Sequence, residues 1–241
     1  MIEAGSLEYA HARLSARFGE RTDEATWRRI ETTRGLVPML DAARASPLAA
    51  WVAGIAPGAG PHAVERAMRA HLHERVAAIA AWMPPTWRAS VEWCSVLVDL
   101  PLLQCLARGG TSPRWLDDGS PERRRALAAF PAVRVADPDR LGSAWREEWQ
   151  RRLPGGHERF ALLGEFVRLV GLHLATFADP QLIDGWAERR RLQSRLVRLF
   201  RRATLDPAAA FIFLALSALD FERLRGEILR RVVLPRLPLV A

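Results

Sequence analysis

Four arginines, Arg191, Arg195, Arg198 and Arg202, recur at spacings of four, three and four within ERRRLQSRLVRLFRR, residues 188–202. On an α-helix those spacings put all four guanidinium groups on one face. Leu192, Leu196, Leu199 and Ala203 keep the same rhythm one position on and predict an adjoining apolar stripe. Like charges so placed repel weakly, and an acidic partner would relieve that repulsion. The chemistry on offer is electrostatic docking, of an acidic protein, lipid headgroups or nucleic acid; the plain alternative is a solvated arginine face. Trp145 and Trp149 lie four apart beside a turn-rich stretch, share a helix face and are candidates for a partner groove. Most of the other tryptophans fall at helical phase and belong inside.

Other constellations offer less. The six histidines are scattered, and His71 and His73 are two apart, which sends their rings to different faces of a helix. A metal pair on a helix needs a spacing of three or four, so no metal site is expected. His173 lies in an apolar stretch and reads as a core imidazole. GIAPGAGP, residues 54–61, has the glycines of a phosphate loop but no lysine, no preceding strand, and two prolines that remove backbone donors. LDDGSPE, residues 116–122, sets Asp117 beside Asp118 but reads as a turn. All 35 basic residues are arginine. Without lysine the chain holds neither a Walker A phosphate loop nor a Schiff-base amine. No convergent catalytic set emerges, so no enzyme and no cofactor are expected.

The elements that would position these residues are helices. Half of the 241 residues are apolar and a quarter are charged, which suits a sizeable core. Alanine, leucine and arginine dominate and favour helix, and alternating β-branched runs are missing. The fold class predicted is all-α. The net charge of +8 permits an acidic partner, although a GC-rich coding bias would also favour arginine. Cys94 and Cys105 on one helix would stand roughly 16 Å apart, too far for a disulfide, so two buried free thiols and a reducing compartment are expected. The N-terminus carries no signal pattern. The longest charge-free apolar run, Pro207 to Leu219, has 13 residues against the about 20 needed to span a bilayer. A cytoplasmic location is expected, with at most peripheral attachment to the inner membrane face.

Residues 63–108 and 184–229 match at an offset of 121 residues. Each has an amphipathic helix, a proline-marked break, an apolar run, an aspartate, and a leucine four residues later. Asp99 aligns with Asp220 and Leu103 with Leu224. Two quasi-repeated helical units follow, at 1–110 and 141–241, joined by a turn-rich connection at 111–140. An acid at the same phase of two helices reads as structural, capping a helix or pairing with an arginine of a neighbour.

Three stretches carry a family resemblance. YAHARLSAR, residues 9–17, looks like a Tyr-x-x-Ala-Arg opening, and EWCSVLVDLPLLQCLARG, residues 92–109, like an apolar helix with an aspartate and a leucine-rich continuation. AAAFIFLALSALDFERLRGEIL, residues 208–229, looks like a terminal helix. Together they resemble the C/d family of central-rotor proteins, the C-type member in archaeal A-type ATPases and the d-type member in eukaryotic V-type ATPases. Where that family has Glu and then Asn-Leu-Arg, this chain has Asp220 and then Arg223, Leu224 and Arg225. The resemblance implies a non-enzymatic, funnel-shaped adaptor. It would link the central stalk to the membrane ring of a rotary ATPase during ATP-coupled ion transport, so the implied partners are stalk and ring subunits. The alternative is an Arg-rich binding module for nucleic acid or another acidic partner.

Overall fold

The computed structural model describes residues 5–111, 137–177 and 183–234, which form an all-α protein with no strand among them. In chain order the helices are α1 (Leu7–Gly19), α2 (Glu24–Thr32), α3 (Leu36–Arg44), α4 (Ala49–Val52), α5 (Pro61–Trp82), α6 (Pro85–Glu92), α7 (Ser95–Ala107), α8 (Leu141–Arg152), α9 (Ala161–Thr176), α10 (Gly185–Arg202) and α11 (Ala208–Val233). The adjacent carboxylates Asp117 and Asp118, and most of the connection at 111–140, lie outside the described residues.

Local chemistry sets the boundaries. Asp23 caps α2 by accepting from the Thr26 amide at 2.7 Å. Asp184 caps α10 in the same way through the Ala187 amide. The stretch from Asp23 to Ser46 divides at Gly35, whose φ of +80° suits glycine and sends α3 off in a new direction. Pro84 and Pro85 end α5 and open α6. Trp93 and Cys94 keep right-handed helical angles, so α6 and α7 form one kinked rod that also runs through Pro101.

Two long helices organise the interior. The first half of α11 is buried on every side, from Ala208 to Leu214. It packs with Ala10, Leu14, Ile79, Val91, Leu103, Leu196 and Phe200 in one core, drawn from α1, α5, α6, α7 and α10. The second half of α11 joins a second core through Phe221, Leu224 and Ile228, with Trp27, Ile30, Leu40, Trp51, Val64 and Met68. Both cores mix residues from before 110 and after 141, so the two expected helical units are not separately cored. The kinked rod Pro85–Ala107 is, by length and composition alone, apolar enough to cross a membrane. Arg88, Glu92 and Asp99 keep it from reading as a charge-free run in the sequence. Val91, Val96 and Leu103 on it are core residues. Both cysteines are free, but the burial expected of them is not found: Cys94 is half-buried and Cys105 is exposed.

Candidate functional site

The arginine face of α10 folds as its spacing predicts. Arg191, Arg195, Arg198 and Arg202 are all exposed, while Leu192, Leu196, Leu199 and Ala203 are buried. The cause is packing: α10 lays its leucine stripe on α11, and whatever is half a turn away must face water. Arg191 is ion-paired with Glu188. Arg202 reaches Glu165 of α9 at 2.9 Å. Arg195 and Arg198 have neither an acid nor a hydrogen-bond partner among the described residues, and neither do Arg201 on the same helix or Arg168 on α9. This basic surface can attract anions but holds no group that could transfer a proton at neutral pH.

The tryptophan pair is different. Trp149 is buried and meets Phe211 edge-on at 5.3 Å, inside the first core. Trp145 stacks on it at 6.2 Å and donates its indole N–H to the Trp93 carbonyl at 3.2 Å, while Trp93 donates back to the Trp145 carbonyl at 3.0 Å. The partner groove expected at Trp145 and Trp149 is therefore corrected to an interior contact that fastens α8 to the kink between α6 and α7.

The four repeat positions are all interior. Leu103 and Leu224 are fully buried, one in each core. Asp220 is held through both of its oxygens by Arg21, in the turn after α1, at 2.9–3.1 Å. Burial pushes its carboxyl up from the ordinary value of 3.8, against the pull of Arg21, Arg75 and Arg223. Asp99 pairs with His73 of α5 at 3.2 Å. The arginine pairing expected of these acids is thus present at Asp220, and a histidine takes its place at Asp99.

Asp220 opens a series of polar ties along the second half of α11. Arg223 donates to Glu31 and to both oxygens of Glu24, with its guanidinium over the Trp27 ring at 4.6 Å. Arg225 pairs with Glu65 of α5, which also holds Arg69. The buried Arg231 donates to the carbonyls of Ile30, Glu31 and Thr33, satisfying the C-terminal end of α2. Sequence reading missed Arg21, Arg223 and Arg231 as structural residues, because their partners lie nearly 200 positions away.

A groove of about 660 Å³ runs between α5 and α6–α7, lined by His73, Glu74, Arg88, Glu92 and Ser95 and floored by Ala70, Ala77 and Ala81. His73 and Asp99 form a buried dyad in its wall, with the His73 Nδ1 and one Asp99 oxygen making no bond. Ser95 Oγ makes no hydrogen bond to His73. No activated nucleophile stands beside the dyad among the described residues. Among the described residues no group of three or more His, Cys, Asp or Glu is placed to hold a metal ion.

His71 sits apart from His73, as its spacing requires, edge-on to Trp51 at 4.6 Å. Burial, helped by the charge of Arg75, holds its pKa below the ordinary 6.5. His173 is half-exposed, edge-on to Phe177 at 4.9 Å, and is not the core imidazole expected; partial burial and then Arg189 lower it too. In each case the unfolded chain takes the proton first, so stability is complete above 6.5 and falls as pH drops below it. The urea midpoint should therefore be lower at about pH 5.5 than at about pH 7.5, and His71→Gln should flatten the difference. A midpoint that rises on acidification would contradict this assignment.

No family model matches the chain, and neither a curated protein nor a solved structure does.

Proposed function

We propose that this chain is a non-catalytic helical adaptor that docks an acidic protein partner on the arginine face of α10. The observation that carries the reading is the run of guanidinium groups at Arg195, Arg198 and Arg201 with no internal counter-charge, held on a helix whose other side is anchored in the core. A folded protein gains nothing from keeping these like charges together, whereas a partner with carboxylates at matching pitch gains charge-assisted, bidentate hydrogen bonds. Following the resemblance of residues 9–17, 92–109 and 208–229, the partners are the stalk and membrane-ring subunits of a rotary ATPase, and the role is mechanical linkage in ATP-coupled ion transport.

Nucleic acid is the second reading. Binding single strands needs aromatic rings between the cations for the bases to stack on. The exposed face of α10 from Arg190 to Arg202 has a serine there, Ser194, and no aromatic residue.

The test is affinity purification of the tagged protein from its own cells in mild detergent, followed by mass spectrometry, beside the variant Arg195→Glu with Arg198→Glu. The wild type is expected to retain acidic subunits of a rotary ATPase. The variant should weaken that retention roughly 100-fold, from two charge reversals at a docked surface. Equal retention by both proteins would remove the face from the interface. Retention of nucleic acid alone, lost steeply as salt rises, would promote the second reading.

A further inference from the structure

The groove between α5 and the α6–α7 rod plays no part in docking at α10, and it is where unmet polar groups gather. Among the described residues seven buried side-chain atoms have no hydrogen-bond partner, and three of them belong to His73, Asp99 and Arg88. His73 and Arg88 line the groove, and Asp99 holds the His73 Nε2 at 3.2 Å. His73 is 9% exposed and Asp99 2%. Buried polar groups are bonded as a rule, because a donor or acceptor that has left water and found no partner is costly. Three at one groove call for a cause.

The groove also holds opposite charges that leave each other alone. Arg88 and Glu92 lie four apart on α6, a spacing at which side chains on a helix meet. Both line the groove, yet neither makes an ion pair or a hydrogen bond among the described residues. Arg88 is half-buried, with its Nε out of water, and Glu92 is exposed. The Ser95 hydroxyl lines the groove and is unbonded too. Glu74 adds a second carboxylate from α5. The floor is apolar and low, since Ala70, Ala77 and Ala81 fall on one side of α5 and carry only methyl groups. At about 660 Å³ the groove has the size of a site for a small organic molecule.

A ligand that meets these groups carries both signs of charge. A carboxylate gives Arg88 the acceptor it lacks, in the bidentate geometry that a guanidinium prefers. An ammonium group, with three donors on one nitrogen, suits Glu92 and Glu74. A lone anion would leave Glu92 unanswered and would be repelled by both carboxylates. We propose that the groove binds a small zwitterion of the amino-acid class, its carboxylate on Arg88, its ammonium group on Glu92 and its side chain on the alanines of α5. His73, braced by Asp99, adds its unbonded Nδ1 as a third polar contact. The site uses no residue of α10, so it and the docking proposal can fail separately.

Isothermal titration calorimetry of the full chain tests this, with each of the common L-amino acids at up to about 10 mM and with acetate and ethylamine as half-ligands. At least one amino acid should bind with a Kd of about 1 mM or below. Acetate and ethylamine should bind roughly ten-fold more weakly or worse, since each meets only one of the two charges. Arg88→Gln and Glu92→Gln should each weaken that amino acid about ten-fold or more, with the circular dichroism spectrum unchanged. Arg198→Gln, on α10, should leave the affinity as it is. Binding of no amino acid would overturn the proposal and leave the three buried atoms to water. Acetate binding as tight as that of the best amino acid, with Glu92→Gln silent, would overturn the zwitterion and make the groove a plain anion site. Binding that neither substitution alters would put the ligand elsewhere on the protein and overturn the assignment of the groove.

Discussion

Replacing Asp220 by alanine is expected to cost about 3–5 kcal/mol of folding stability, the range for removing one partner of a buried ion pair. The geometry is what makes the loss large. Both oxygens of Asp220 are held by Arg21, and each side chain is only 12% exposed. Arg75 also senses the carboxylate and is itself pulled down by burial. Without Asp220 these two cations stay in a poorly hydrated site with no counter-charge. Urea unfolding by circular dichroism measures the cost. Asp220→Leu combined with Arg21→Met removes both charges at similar volume and should recover most of the loss, since apolar replacements of a buried pair are often neutral. A cost below about 1 kcal/mol for the single change would mean that Arg21 swings into water, and would demote the pair to the rank of a surface ion pair.

Phe213→Ala is expected to be equally damaging, at about 3–5 kcal/mol, for a different reason. Phe213 lies on the half of α11 that is buried all round, with its ring 6.2 Å from that of Phe200 on α10. Phe200 stacks in turn on Phe18 of α1 at 4.3 Å. Truncation removes the transfer energy of a ring and leaves a cavity where three helices meet, which packed backbone closes only in part. Phe177→Ala, at an exposed position just past the end of α9, is the control and should cost less than about 1 kcal/mol. If the two substitutions cost the same, the assignment of α11 as the central helix is wrong.

The contrast between Arg198 and Arg231 shows how far a linear reading reaches. Arg198 declares its environment through local periodicity, because Leu192, Leu196 and Leu199 around it fix which side of α10 is buried. Arg231 has no such signal. It lies three residues from Ile228 and in phase with the core, a position where arginine is rare unless paired. Its three carbonyl partners belong to the end of α2, which only the fold brings near. Trp145 and Trp149 show the opposite error. Their spacing of four was compatible with a partner groove or with an internal stack, and what decided between them was Phe211, brought against Trp149 by α11.

Composition and periodicity by themselves determined the helical class, the proline-marked break between α5 and α6, the arginine face of α10, and the matching phase of Asp99 with Asp220 and of Leu103 with Leu224. These follow from energies that act within a few residues, namely helix propensity, capping, proline geometry and the 3.6-residue period. Only the tertiary structure decided that residues 1–110 and 141–241 share their cores, and that Asp220 takes Arg21 while Asp99 takes His73. Those outcomes depend on which surfaces remain to be covered once α5 and α11 have packed together. Pairing across nearly 200 residues leaves no periodic mark in the sequence.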